Sequence, residues 1–145
     1  MDWFGSRVLH FARDRAASSA VEFALLMPVY LMLVLGALAY GIYFGATHSV
    51  QQLAADAARA AVAGLGAEER AMLADGFVAT NARSYLWLDP DRLEVVPEPS
   101  PFDPGQYHVT VRYDASALPI WNIYPPLPLP SSTIAHRSTI RNGGL

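Results

Sequence analysis

Between Phe23 and Phe44 the chain runs for 22 residues without a single Asp, Glu, Lys or Arg. As an α-helix that run would extend about 33 Å at 1.5 Å per residue, close to the thickness of a bilayer's hydrocarbon core. It predicts a membrane span, because a helix satisfies its own backbone hydrogen bonds where no water can. The uncharged window continues to Ala55, with Thr47, His48, Ser49, Gln51 and Gln52 as its polar members, so the span has one natural position. Tyr40, Tyr43 and Phe44 stand near its far end, where interfacial aromatic residues belong. Pro28 lies near its start, and a membrane helix tolerates a kink there.

Orientation follows from Lys and Arg near the ends of the span. Arg7, Arg13 and Arg15 precede it, whereas the next Arg is Arg59, 15 residues beyond Phe44. The amino terminus is therefore expected in the cytoplasm and the chain from about Thr47 onward outside. A net charge of −3 with no basic run or aromatic-basic interleaving speaks against a nucleic-acid partner. Beyond the span lie about 100 of the 145 residues, enough for one small domain. With no cysteine, that domain has neither a disulfide framework nor a thiolate metal site.

Helical periodicity continues past the span. Val50, Leu53, Ala57, Ala61 and Leu65 recur at steps of three and four, with Gln51, Gln52, Asp56 and Arg59 on other faces. This predicts one helix from about Ser19 to Ala63, ended by Gly64 and Gly66. A second helix is expected from Ala67 to about Leu88, with Met72, Phe77, Val78, Ala82, Tyr85 and Leu86 as an imperfect apolar face and Gly76 weakening it. Then come β-prone runs at Leu93–Val96, Tyr107–Tyr113 and Ser132–Ile140. The middle run alternates, with Tyr107, Val109, Val111 and Tyr113 on one face and His108, Thr110 and Arg112 on the other. Pro97 to Gly105 reads as a loop and turn, and Pro119 to Pro130 as a proline-rich loop with polyproline conformation over Pro125 to Pro130. The fold class is α+β: a long helix, transmembrane below and amphipathic above, then a small domain with a second helix and an antiparallel sheet that the upper helix covers.

The start of the long helix carries Arg13-Asp-Arg-Ala-Ala-Ser-Ser-Ala-Val-Glu22-Phe23, where a basic leader meets an acid at the mouth of the span. Ser19 and Glu22 have Ser-x-x-Glu spacing, so a capping box is one reading of this glutamate, helped by the helix dipole. A second comes from resemblance. Arg-Ala-Ala-Ser-Ser-Ala-Val-Glu-Phe-Ala-Leu-Leu-Met-Pro followed by an apolar span resembles the TadE-like family, pilin-like minor proteins of the tight-adherence (Tad, or Flp) pilus. The likeness is good from Arg13 to about Phe44 and extends weakly towards Gly64. It implies a pilin-like architecture and a cut by a prepilin peptidase on the cytoplasmic side, between Ala17 and Ser18, five residues before Glu22. Alanine at 17 stands where glycine is the family's usual residue. It further implies that Glu22 of one subunit neutralises the freed amino terminus of a neighbour, which turns a costly charge in an apolar bundle into a register device.

Ala37, Gly41 and Gly45 form a small-residue stripe at i, i+4 and i+8 that permits close helix approach. A competing export signal exists at Ala37-Leu-Ala39, which would release a soluble protein beginning at Tyr40, but apolar sequence continues through Phe44 and the leader is long. His10, His48, His108 and His136 are scattered, without metal spacing, and no nucleophile motif or phosphate loop is present. Asp89-Pro-Asp91 reads as a turn. Trp121 and Tyr124 form an aromatic segment that either covers the sheet or contacts another subunit, and Arg112, Arg137 and Arg141 can pair across strands with Glu94 and Glu98.

The segments expected are a cytoplasmic leader over 1–17, a transmembrane helix over 18–46, an amphipathic extension over 47–66 and an extracytoplasmic α+β domain over 67–145. The function expected is a minor subunit or assembly factor of a Tad/Flp pilus in the cytoplasmic membrane, not an enzyme and with no cofactor. Its partners would be the prepilin peptidase, other pilus subunits, inner-membrane assembly proteins and the lipid bilayer. The alternative is a single-pass membrane-anchored binding module that enters no filament.

Overall fold

A computed structural model describes residues 15–122 and 130–141. Two compact units divide the chain, Met1–Leu38 and Ala39–Leu145. The helix α1, Arg15–Ala61, is 47 residues long and continues through Pro28. Within the first unit its large side chains are exposed on every side, among them Leu25 at 73% and Leu33 at 65%. A helix apolar all round needs an apolar surrounding, because water would be ordered against all of that surface.

In the second unit the same helix becomes one-sided. Ala39, Ala46, Val50, Leu53, Ala54, Ala57, Ala58 and Ala61 are buried, repeating the steps of three and four that the sequence predicts. Leu65 departs from that prediction: it is 92% exposed, because α1 ends at Ala61 and the chain turns away. The turn is closed by Val62 N–H on the Arg59 carbonyl at 3.2 Å and Gly64 N–H on that of Ala61 at 3.1 Å. Glu69 then accepts the Leu65 N–H at 2.8 Å, and two acids, Glu68 and Glu69, occupy the first turn of α2, Ala67–Asn81, where the helix dipole favours them.

α2 stops seven residues before the expected Leu88. The Asn81 amide donates to the Phe77 carbonyl at 2.9 Å and the Ser84 hydroxyl to that of Asn81 at 2.6 Å, so polar side chains take up backbone acceptors and a short 3-10 turn, Ala82–Ser84, follows. Of the expected apolar face, Val78 and Ala82 are buried and Phe77 and Tyr85 pack at its margin, while Met72 and Leu86 point outward.

Three strands form one antiparallel sheet in the order β1, Leu93–Pro99; β2, Gln106–Asp114; β3, Thr133–Arg141. β1 runs three residues past the expected Val96, taking in Pro97 and Pro99, opposite Val109 and Tyr107. An edge strand can hold prolines at alternate positions because their missing N–H groups fall on the outer side, and this also blunts the edge. The β1–β2 turn is the predicted one: Asp103 accepts from Gly105 N–H at 2.8 Å and from the Gln106 amide at 3.0 Å.

Tyr107, Val109, Val111 and Tyr113 all face inward and are buried, as the alternation predicts. They join the alanine stripe of α1, Ala74 and Val78 of α2, Ile134 and Ile120 in one core. Small side chains on the helix and large ones on the sheet are complementary in volume, as close packing requires. Tyrosine hydroxyls tie the layers: Tyr107 to the Ala67 carbonyl at 3.2 Å, Tyr85 to Asp56 at 2.6 Å and Tyr43 to the Ser131 carbonyl at 3.1 Å. On the outer face Arg137 reaches across β2 to Glu98 at 3.1 Å, and its Nε donates to Thr110 at 3.1 Å. That bridge helps to explain why His108 and Thr110 are buried on a face the sequence marks as polar.

Candidate functional site

The residues singled out by the sequence lie along α1 and on the edge of the second unit. α1 is already helical at Arg15, so Ser19 stands in its second turn and the expected capping box does not form at that position. Ser18, Ser19, Glu22 and Phe23 are all exposed, Glu22 between the exposed apolar side chains of Val21 and Phe23. Among the described residues, no partner is present for Glu22. A carboxylate in that setting is poorly solvated once the helix enters an apolar medium, and a cation brought to it would gain strongly.

The small-residue stripe divides. Ala37 is exposed, and an added Cβ at Gly41 would meet nothing within 4 Å. Gly45 is different, since a Cβ there would lie 3.1 Å from Cδ1 and 3.2 Å from Nε1 of Trp87. The surface that the sequence offers to another helix is here occupied by an indole of the same chain. Trp87 was not legible as part of a site; the only sign is the apolar triplet Leu86-Trp-Leu88 before Asp89-Pro90, which also fits the end of a helix.

Trp121 is half-buried against the core and its Nε1 donates to the Ala115 carbonyl at 2.6 Å. Tyr124, the leader residues Arg7 and Arg13, and residues 125–129 of the polyproline stretch lie outside the described residues. Of the cross-strand pairs, Arg112–Glu94 at 3.4 Å and Arg137–Glu98 at 3.1 Å form. The Asp89-Pro-Asp91 turn is a 3-10 turn in which Asp89 accepts the Asp91 N–H at 3.1 Å. Beside it Arg92 pairs with Asp114 at 3.0 Å. The Ser116 N–H bonded to Asp114, with its hydroxyl and then Arg92, holds that carboxyl below its ordinary range. Burial, then the hydrogen bond to Asp56 and that carboxylate's charge, push the Tyr85 hydroxyl up to about 12. No group of three or more His, Asp or Glu among the described residues could hold a metal ion.

This arrangement presents an apolar helix with one acid near its start and a folded α+β unit after it. The family model described as TadE-like protein matches residues 17–59. The match opens on Ala17, takes in Glu22 and the charge-free run, and closes on Arg59 in the last turn of α1. It is the family that the junction resembles, a pilus-associated structural family. The matched helix is long and apolar enough to cross a membrane. No curated protein and no solved structure matches the chain.

Proposed function

We propose that this protein is a pilin-like minor subunit or assembly factor of a Tad/Flp pilus, anchored in the cytoplasmic membrane by α1. The single observation that carries the reading is the coincidence of the TadE-like match over 17–59 with a helix that is apolar all round at its start. In this reading the amino terminus is cytoplasmic, as Arg7, Arg13 and Arg15 favour, and the unit from Ala39 onward is extracytoplasmic. A prepilin peptidase cuts between Ala17 and Ser18. The protein is its substrate and carries out no catalysis of its own.

After the cut Glu22 is the fifth residue, one helical turn from the new terminus. Within an apolar bundle its carboxylate pairs with the α-amine of a neighbouring subunit, because an unpaired charge there costs several kcal/mol. That pairing sets the stagger between subunits. The test is Glu22→Ala in cells that make the pilus: membrane insertion is retained and recovery with the other pilus components is lost. Normal co-purification and piliation with that variant contradict the role of Glu22. Residues beyond Arg59 lie outside the family match, so a membrane-anchored binding module remains the competing reading for the outer unit. Wild-type protein that never co-purifies with pilus components favours it.

A further inference from the structure

We propose that the loop around Leu86 and Trp87 rests in the interfacial layer of the phospholipid bilayer, giving the outer unit a second membrane contact besides α1. This rests on the membrane-anchored reading above. Leu86 is 67% exposed and Trp87 40%, although their neighbours Tyr85 and Leu88 pack against the core. The chain turns two adjacent large apolar side chains outward between two that pack inward. Trp87 does so from a strained backbone: its φ of 66° falls in the left-handed region, which a bulky L residue enters only when its surroundings impose it.

What holds it there also locates it. The indole lies over Gly45, the residue immediately after Tyr43 and Phe44, the aromatic pair near the far end of the predicted span, and two residues before the first polar side chain, Thr47. Phe44 is itself 63% exposed, and its ring centroid lies 6.1 Å from that of Tyr40 and 6.4 Å from that of Tyr43. The loop's tryptophan is therefore fixed beside the helix residue at which hydrocarbon gives way to headgroups. An indole suits that layer, with an apolar ring body and one N–H for the polar side. From Ser84 to Leu88 the loop carries no charge, and the first ones flanking it are Arg83 and Asp89. Two side chains are far too few for a specific protein interface, which needs about 800 Å² per partner, whereas a lipid surface needs no complementary shape.

The absence of cysteine allows single-cysteine variants of the full chain to be spin-labelled and reconstituted in phosphatidylethanolamine–phosphatidylglycerol vesicles. Leu33→Cys reports the span, Leu65→Cys the exposed turn after α1, and Leu86→Cys the loop. Collisions with a water-soluble nickel chelate are expected to be absent at 33, frequent at 65 and several-fold lower at 86 than at 65, with oxygen collisions rising in the opposite sense. A label at 86 as open to the chelate as one at 65, with 33 shielded, overturns the loop contact alone. A label at 33 open to the chelate overturns the membrane reading and this inference with it. In the unlabelled chain, lipids brominated near the headgroup should quench a part of the tryptophan emission that Trp87→Phe removes; equal quenching in both proteins overturns the contact.

Discussion

At Gly64 an added Cβ would come within 2.8 Å of the Arg70 backbone nitrogen and 3.0 Å of its Cα, so the start of α2 would have to move. At Gly76, inside α2, it would meet nothing within 4 Å. The same substitution should therefore act in opposite directions. Gly64→Ala is expected to cost about 1–3 kcal/mol by overpacking, and Gly76→Ala to gain about 0.5–1 kcal/mol by removing backbone freedom from the unfolded chain. Thermal unfolding of the two variants in detergent micelles checks the signs. Tyr85 offers a pH readout at the same scale. Its hydroxyl is raised to about 12 in the fold against an ordinary value near 10, so its contribution is complete below pH 10 and disappears as pH rises to about 12. Tyr107 and Tyr113 are raised as well, both first by burial, so their contributions too are lost on the alkaline side of the ordinary tyrosine range. Tyr85→Phe should lower stability at neutral pH and make the alkaline loss shallower; an unchanged alkaline slope in chemical unfolding from pH 9 to 12 contradicts the assignment.

At the scale of elements the two faces of the sheet carry different weight. Ile134, 3% exposed on the inner face, contributes by burial, and Ile134→Ala is expected to cost about 2–5 kcal/mol. Glu98 on the outer face pairs with Arg137 between side chains that remain 42% and 54% exposed, so Glu98→Gln should cost less than about 1 kcal/mol and the loss should shrink in high salt. Denaturant titration of both variants at two salt concentrations separates them. β2 was readable in advance because strict alternation over Tyr107 to Tyr113 leaves only one way to bury the tyrosines and valines. The far end of β1 was not, since Pro97 and Pro99 exclude a central strand and a sequence does not say which strand lies at an edge. The end of α2 was hidden too: Asn81 and Ser84 end it through side-chain bonds to the backbone, while the apolar pattern runs on to Leu88. The Trp87 to Gly45 contact joins residues 42 apart through a backbone conformation that tryptophan rarely adopts, and no local pattern encodes it.

Over the whole molecule, the chain pairs a helix that requires an apolar surrounding with a unit that has its own core. The sequence made the first part plain through an absence of charge and made Glu22 conspicuous by the same contrast. Ser19 shows where such reading goes astray, because Ser-x-x-Glu spacing fits a capping box equally well when the helix has begun a turn earlier. In the proposed pilin-like role Glu22 becomes the fifth residue of a processed membrane protein. Intact mass and amino-terminal sequencing of the protein extracted from membranes that contain the pilus machinery test this directly. The prediction is a chain beginning at Ser18, and a longer one when the prepilin peptidase is deleted. A chain that begins at Met1 in both backgrounds contradicts pilin-like processing, and one that begins at Tyr40 contradicts the membrane anchor itself.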